Sequence, residues 1–188
     1  DVMADAAKRG LVDIDFIGWM DYTGRAELDK AFSTSYSNHY RLGGLKVTLD
    51  GSPQGRTAWR TVPYLIPPDG QQPGYMGYPA IPDTTQVESY LDEAYAKGWP
   101  VKVHTNGGAA VDQLFTALRP VVAKYGVKPG QTILVHGQLI RPDQVKELKS
   151  LGIFPSMFPM HTFYWGDWYG KIIGPEKAAQ ISPMRSIL

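Results

Sequence analysis

VKVHTNGGAA, residues 101–110, is the stretch whose reading decides the fold. Strand side chains alternate with period two, so Val101 and Val103 face one way and Lys102 and His104 the other. Asn106, Gly107 and Gly108 then supply a tight turn before Ala109 opens a helix. A short strand that ends in a histidine and passes through glycine into a helix has the profile of a parallel strand in an α/β protein. Chemistry in such folds collects at the carboxyl ends of the strands. Taken alone, His104 keeps two readings, a catalytic group or a hydrogen-bonded histidine at a buried strand end.

Moving outward, Val111, Leu114, Leu118 and Val121 fall at helical spacing from about Ala110, with Pro120 expected to kink or restart that helix. Thr132 to Gln138, TILVHGQ, repeats the design of strand, histidine and glycine. Ile133 and Val135 are expected to face out, and Leu134 and His136 in. A helix starting at Pro142 carries Val145, Leu148 and Leu151 and ends at Gly152, and Ile153 to Phe158 forms a last strand. On the other side, Asp83 to Lys97 reads as a helix, with Thr85 and Glu88 at capping-box spacing and Gly98 as its stop. Before it lies Ser52 to Ile81, a long connection rich in proline, glycine and aromatic residues, whose Arg56, Trp59, Tyr64 and Tyr75 argue for order.

Leu45 to Asp50, LKVTLD, is a strand with Leu45, Val47 and Leu49 on one face and Lys46, Thr48 and Asp50 on the other. An ammonium group on an enclosed face is costly unless paired, neutralised or modified, so Lys46 either pairs with Asp50 or has a function. Leu11 to Trp19 is expected to be a strand, Val2 to Lys8 and Arg25 to Phe32 short helices, and His39 a solvated or capping residue. Strands and helices alternate along the whole chain, which predicts a parallel sheet with right-handed crossovers in a single α/β domain over 1–188. A closed (β/α)8 barrel needs about 250 residues, so this is part of a TIM barrel, or an open sheet.

Composition narrows the function. With 19 basic and 18 acidic residues the net charge is +1, without a basic patch for nucleic acid or an anionic membrane. There is no cysteine, which leaves histidine, carboxylate or modified lysine as metal donors. No apolar run reaches membrane-span length and the first residues are no signal peptide, so a cytoplasmic location is expected. The lack of an initiator methionine suggests a chain cut from something longer.

The runs LKVTLDGSPQGRTAW, VPY, KVHTNGGAAVDQL and ILVHGQLIRPDQVKELKSLGIFPSMFPMHT, in that order, resemble the central part of the amidohydrolase superfamily, specifically amidohydrolase family 3 metal-dependent hydrolases. The resemblance covers nearly the whole chain. It implies a (β/α)8 barrel, here roughly strands 3 to 7 with their helices, binding one or two divalent metals, usually zinc. It also implies metal ligation and catalysis by Lys46 as the carboxylated fourth-strand lysine, His104 on the fifth strand and His136 on the sixth. No His-x-His pair occurs and no later strand brings the eighth-strand aspartate, so the chain is expected to be an internal piece that is inactive alone.

The chemistry of the residues agrees with this transfer. A desolvated lysine has a depressed pKa, and its neutral amine takes up carbon dioxide to give an anionic carbamate ligand. Imidazoles suit zinc, and metal-bound water becomes a hydroxide nucleophile near neutral pH, here directed at the carbon–nitrogen bond of an amide-like small molecule. Arg56 and the aromatic tail FPMHTFYWGDWY, with His161 and Trp165, are candidates for substrate binding, although the rings serve equally well as a cover over the barrel's open side. The reading from a different class is a non-catalytic module in which aromatic loops hold a sugar or other small molecule and the histidines are structural. Edges left by missing strands favour pairing with another copy, so a homo-oligomer is expected.

Overall fold

The computed structural model describes residues 2–188. Helix α1 (Val2–Lys8) precedes strand β1 (Phe16–Asp21), and a 3-10 turn and helix α2 (Arg25–Ala31) lead to β2 (Tyr40–Thr48). A long loop and α3 (Thr84–Lys97) connect to β3 (Val101–Thr105), then α4 (Gly108–Tyr125) to β4 (Thr132–His136) and α5 (Pro142–Leu148) to β5 (Phe154–Met157). Helices α6 (Met160–Ile173), α7 (Pro175–Ala178) and α8 (Met184–Ile187) follow.

All five strands are parallel and lie in the order β1-β2-β3-β4-β5. Strand order never reverses, so right-handed crossovers put the connecting helices on one face, as in a barrel wall and unlike a doubly wound sheet. The protein is therefore a run of β/α units from a (β/α)8 barrel, open at both edges.

That one-sidedness explains the burial. Leu45, Val47, Val101, Val103 and Leu134 are fully buried and pack against Val87, Leu91 and Ala94 of α3 and Val111, Leu114 and Leu118 of α4. On the opposite face Lys46 lies beside Lys102, Thr48 beside His104, and His104 beside Val135, all half-buried. This second face is the inner wall of the barrel.

Several local expectations need correction. In β4 it is Ile133 and Val135 that share the inner face with Lys102 and His104, whereas Leu134 pairs with Val103 in the helix layer. The first strand runs over Phe16–Asp21 rather than from Leu11, because pairing begins only where Phe16 meets Tyr40, and β2 starts five residues before the apolar alternation that marks it. The register slips by one residue between Gly18 and Met20, opposite Gly43 and Gly44. A Cβ on Gly44 would stand 2.2 Å from the Pro100 carbonyl oxygen, so glycine is required there. Asp83, not Thr85, caps α3, its carboxylate accepting from the Thr85 amide at 2.8 Å. Helix α4 passes through Pro120 without restarting. Pro120 and Thr116 are both exposed, so the carbonyl deprived of its donor faces solvent.

Candidate functional site

One buried carboxylate organises the carboxyl end of the sheet. Asp50, just after β2, accepts the backbone N–H of Trp59 at 3.0 Å, of Asn106 at 2.9 Å and of Gly107 at 2.7 Å. It thereby ties the loop after β2 to the turn after β3. That turn admits only glycine at 107, since a Cβ would lie 1.9 Å from the Trp59 carbonyl oxygen. Of the two readings of Lys46, the pair with Asp50 does not form, because these amides and His104 occupy the carboxylate.

His104 is held from both sides. Its Nδ1 faces Asp50 Oδ1 at 3.5 Å, outside hydrogen-bond alignment, and is buried. The Asn106 amide donates to Nε2 at 3.3 Å and to the Gly51 carbonyl at 2.8 Å. The ring therefore carries its proton on Nδ1, toward the carboxylate, with the Nε2 lone pair turned to a long, weak contact. A carboxylate behind an imidazole favours this tautomer and orientation.

His136 reaches the same place by a different route. Its backbone pairs with Thr105, whose side chain lies in the helix layer, and a regular strand would send the imidazole there too. Instead His136 has φ 78, a left-handed conformation that non-glycine residues rarely adopt, and its ring turns edge-on to His104 with centroids 4.8 Å apart. Its Nδ1 is buried without a partner. Burial, with the charges of His104, His161 and Lys46, pulls its pKa down to about 4, so the ring is neutral at neutral pH.

Lys46 lies deeper along the inner face, its Nζ donating to the Val47 carbonyl at 3.3 Å and the Thr48 hydroxyl at 3.5 Å. Burial pulls its pKa down to about 8, with Lys102 adding to the effect and Asp21 opposing it. His161, on α6, is buried with its ring 6.4 Å from that of His136, and burial lowers its pKa too. It stacks on Tyr169, whose hydroxyl meets its Nδ1, and Trp165 packs on it at 4.8 Å. The structure thus brings His104, His136, His161 and Trp165 into one row.

Arg56 stands apart from them. Its guanidinium donates to the Pro67 carbonyl at 2.9 Å and lies over the Trp168 ring, clipping two stretches of loop to α6. Trp168 Nε1 completes the clip by donating to the Gln54 carbonyl at 2.9 Å. His39 is exposed and meets Asp15 at 3.0 Å, as a solvated histidine should. Asp50, Asn106 and Tyr169 carry roles that sequence reasoning did not assign. For Asp50 and Asn106 the available signal was a polar residue directly at a strand end beside glycine.

The donor set fits a divalent cation. Two imidazoles on one tetrahedral zinc have ring centroids about 5 Å apart, given zinc–nitrogen bonds of about 2 Å, which is the spacing of His104 and His136. Both rings keep a nitrogen free of any strong hydrogen bond. Among the described residues no cluster of three or more histidine, cysteine, aspartate or glutamate side chains is arranged to hold a metal. Nor, among those residues, is any helix long and apolar enough to cross a membrane.

No curated protein matches the sequence. A family model described as amidohydrolase family matches residues 1–188. Among solved structures, the chain is similar to an uncharacterized metal-dependent hydrolase from Pyrococcus furiosus, with a TM-score of 0.79 and 21% identity over 98% of this chain and 37% of that one. An uncharacterized metal-dependent hydrolase from Pyrococcus horikoshii OT3 gives 0.78 and 21% identity over 98% of this chain and 36% of that one. The chain therefore spans little more than a third of the length of these neighbours, and at this identity the likeness speaks for the fold.

Proposed function

The chain belongs to the amidohydrolase family, and from that premise we propose that it carries part of a divalent-metal site that hydrolyses carbon–nitrogen bonds, other than peptide bonds, in amide-like small molecules. The observation that carries this reading is the His104–His136 pair, edge-on at 4.8 Å, in which the His136 Nδ1 is buried without a hydrogen-bond partner and the His104 Nε2 has only the long Asn106 contact at 3.3 Å. Buried polar atoms are nearly always satisfied, and unsatisfied ones at a strand end favour a missing ligand.

His104 and His136 would hold the ion, zinc being the cation that suits imidazole best. Lys46 is the further donor: with its pKa near 8 a useful fraction is neutral amine at physiological pH, able to take up carbon dioxide as a carbamate. A cation bound there supplies Lewis acidity, which polarises a carbonyl and makes water a nucleophile at neutral pH. The protein's own groups do the rest. Asp50, 3.5 Å from Nδ1, favours the His104 proton on that nitrogen, and only the long Asn106 contact would have to give way for Nε2 to bind. The neutral His136 ring needs no deprotonation before it ligates. His161 and Trp165 form an aromatic wall that excludes water from one side of a substrate.

Metal content tests this directly, measured by mass spectrometry on protein made from the complete parent reading frame and purified without chelators. One or two zinc ions per chain are expected, falling to a small fraction in His104→Ala and His136→Ala. Absence of metal from the wild type after zinc and bicarbonate are supplied would sink the proposal and leave a binding module with structural histidines.

A further inference from the structure

A cavity lies away from the histidine row. It measures about 230 Å³ and opens where α4, α5 and α7 approach the loop after Trp59; Lys46, His104, His136 and His161 take no part in its wall. Arg60 lines it. Only 5% of Arg60 is exposed, yet among the described residues no carboxylate pairs with it. Its guanidinium donates to the Pro63 carbonyl at 2.9 Å and lies over the Tyr64 ring at 4.6 Å. A buried cation without a counter-charge is expensive, and the cost persists only where something offsets it.

The other charges around the cavity sharpen the picture. Arg141 is already committed to Asp112 at 2.9 and 2.8 Å and to Asp143 at 3.0 Å. Lys177 lines the cavity with no acidic partner among the described residues. Gly108 opens the 18-residue helix α4 at the same wall, adding the positive end of its dipole. The net charge left for a ligand to meet is positive. The remaining wall is aliphatic, with Leu139, Ile140, Ile173 and Ile181. A phosphate would meet hydrocarbon over most of its surface there, whereas an aliphatic acid presents two oxygens to a guanidinium fork and a tail to the apolar wall.

We propose that this cavity is a binding site for a short aliphatic carboxylate, with Arg60 as its counter-ion, Lys177 as a second cation and the isoleucines as the pocket for the tail. The site is independent of the metal reading, because no residue is shared between them.

Isovalerate titrated into the intact protein, followed by calorimetry and by saturation-transfer NMR, tests the proposal. Saturable binding is expected at one site, at least tenfold weaker in Arg60→Gln and about threefold weaker in Lys177→Ala. 3-Methylbutanol, of the same shape without the charge, and inorganic phosphate, charged without the tail, should each bind at least tenfold more weakly. Val62→Trp changes a residue that is 45% exposed at the cavity wall, so it should close the site without unfolding the protein, and it decides the matter if Arg60→Gln does not fold. Isovalerate binding that survives both Arg60→Gln and Val62→Trp, its absence from folded wild type, or phosphate binding as tightly would each overturn the assignment.

Discussion

His136 is held where it is by its own backbone. A left-handed conformation costs a non-glycine residue about 1 kcal/mol or more, and Asn tolerates it better than His does. His136→Asn should therefore fold with stability within about 1 kcal/mol of wild type, and no lower, while losing the metal. Denaturant titration beside metal analysis would reveal the split. Asp50→Asn should behave oppositely. It sets an amide N–H against backbone N–H groups that now share a carboxylate, and a loss of about 2 kcal/mol or more is expected in the same titration. The sequence marked His104 and His136 as candidates because each ends an apolar alternation that runs into glycine, and Lys46, near the start of LKVTLD, only as a cation on an enclosed face. For Asp50 it offered only a polar residue at a strand end beside glycine and no hint of its partners, backbone amides 9, 56 and 57 positions away. No side-chain pattern marks such bonds, and none marks the left-handed turn at His136 that brings its ring to the inner face.

Elements packed by apolar periodicity were readable, and those held by loops were not. Helices α3, α4 and α5 follow their apolar positions closely because the helix layer is a single continuous core. The aromatic tail gave no such signal, since α6 docks through a separate cluster of Tyr64, Tyr169, Ile172, Ile173 and Ile181. Burial raises the pKa of both phenols in that cluster above the ordinary 10.0. Their neutral forms are favoured in the folded state, so their contribution is complete below pH 10 and is lost as the pH rises further. The docking of α6 should accordingly loosen in alkali, seen as a change in near-ultraviolet circular dichroism that accompanies phenolate absorbance. Tyr64→Phe should cost about 1 kcal/mol at neutral pH, through the lost bond to the Ala58 carbonyl, and move the alkaline transition upward. Within α4, Pro120→Ala restores a backbone donor on an exposed turn and should raise stability by about 1–2 kcal/mol, read from thermal melts.

At the scale of the whole molecule, the inner face and the outer strands are left open. Phe154 of β5 is 59% exposed, and β1 and β5 each present an unpaired edge. We propose that the 188-residue chain, when produced by itself, associates with its own copies, and sedimentation velocity across a concentration series should show the average mass rising. Phe154→Lys should shift that curve toward monomer. The open wall was predictable from length, whereas which strands form its edges was not, because that depends on crossovers rather than on any local pattern. The order of the strands has a last implication, and it concerns time. Each strand pairs with the one made just before it, so a ribosome could release the wall piece by piece, every new unit docking on a finished one. The longest wait is that of β3, which needs 52 residues after β2 to emerge, those from 49 to 100, with the loop and α3 among them. Closing that gap carries the largest entropic penalty of any pairing in the sheet, which makes the β2–β3 junction the step on which the rate of folding depends.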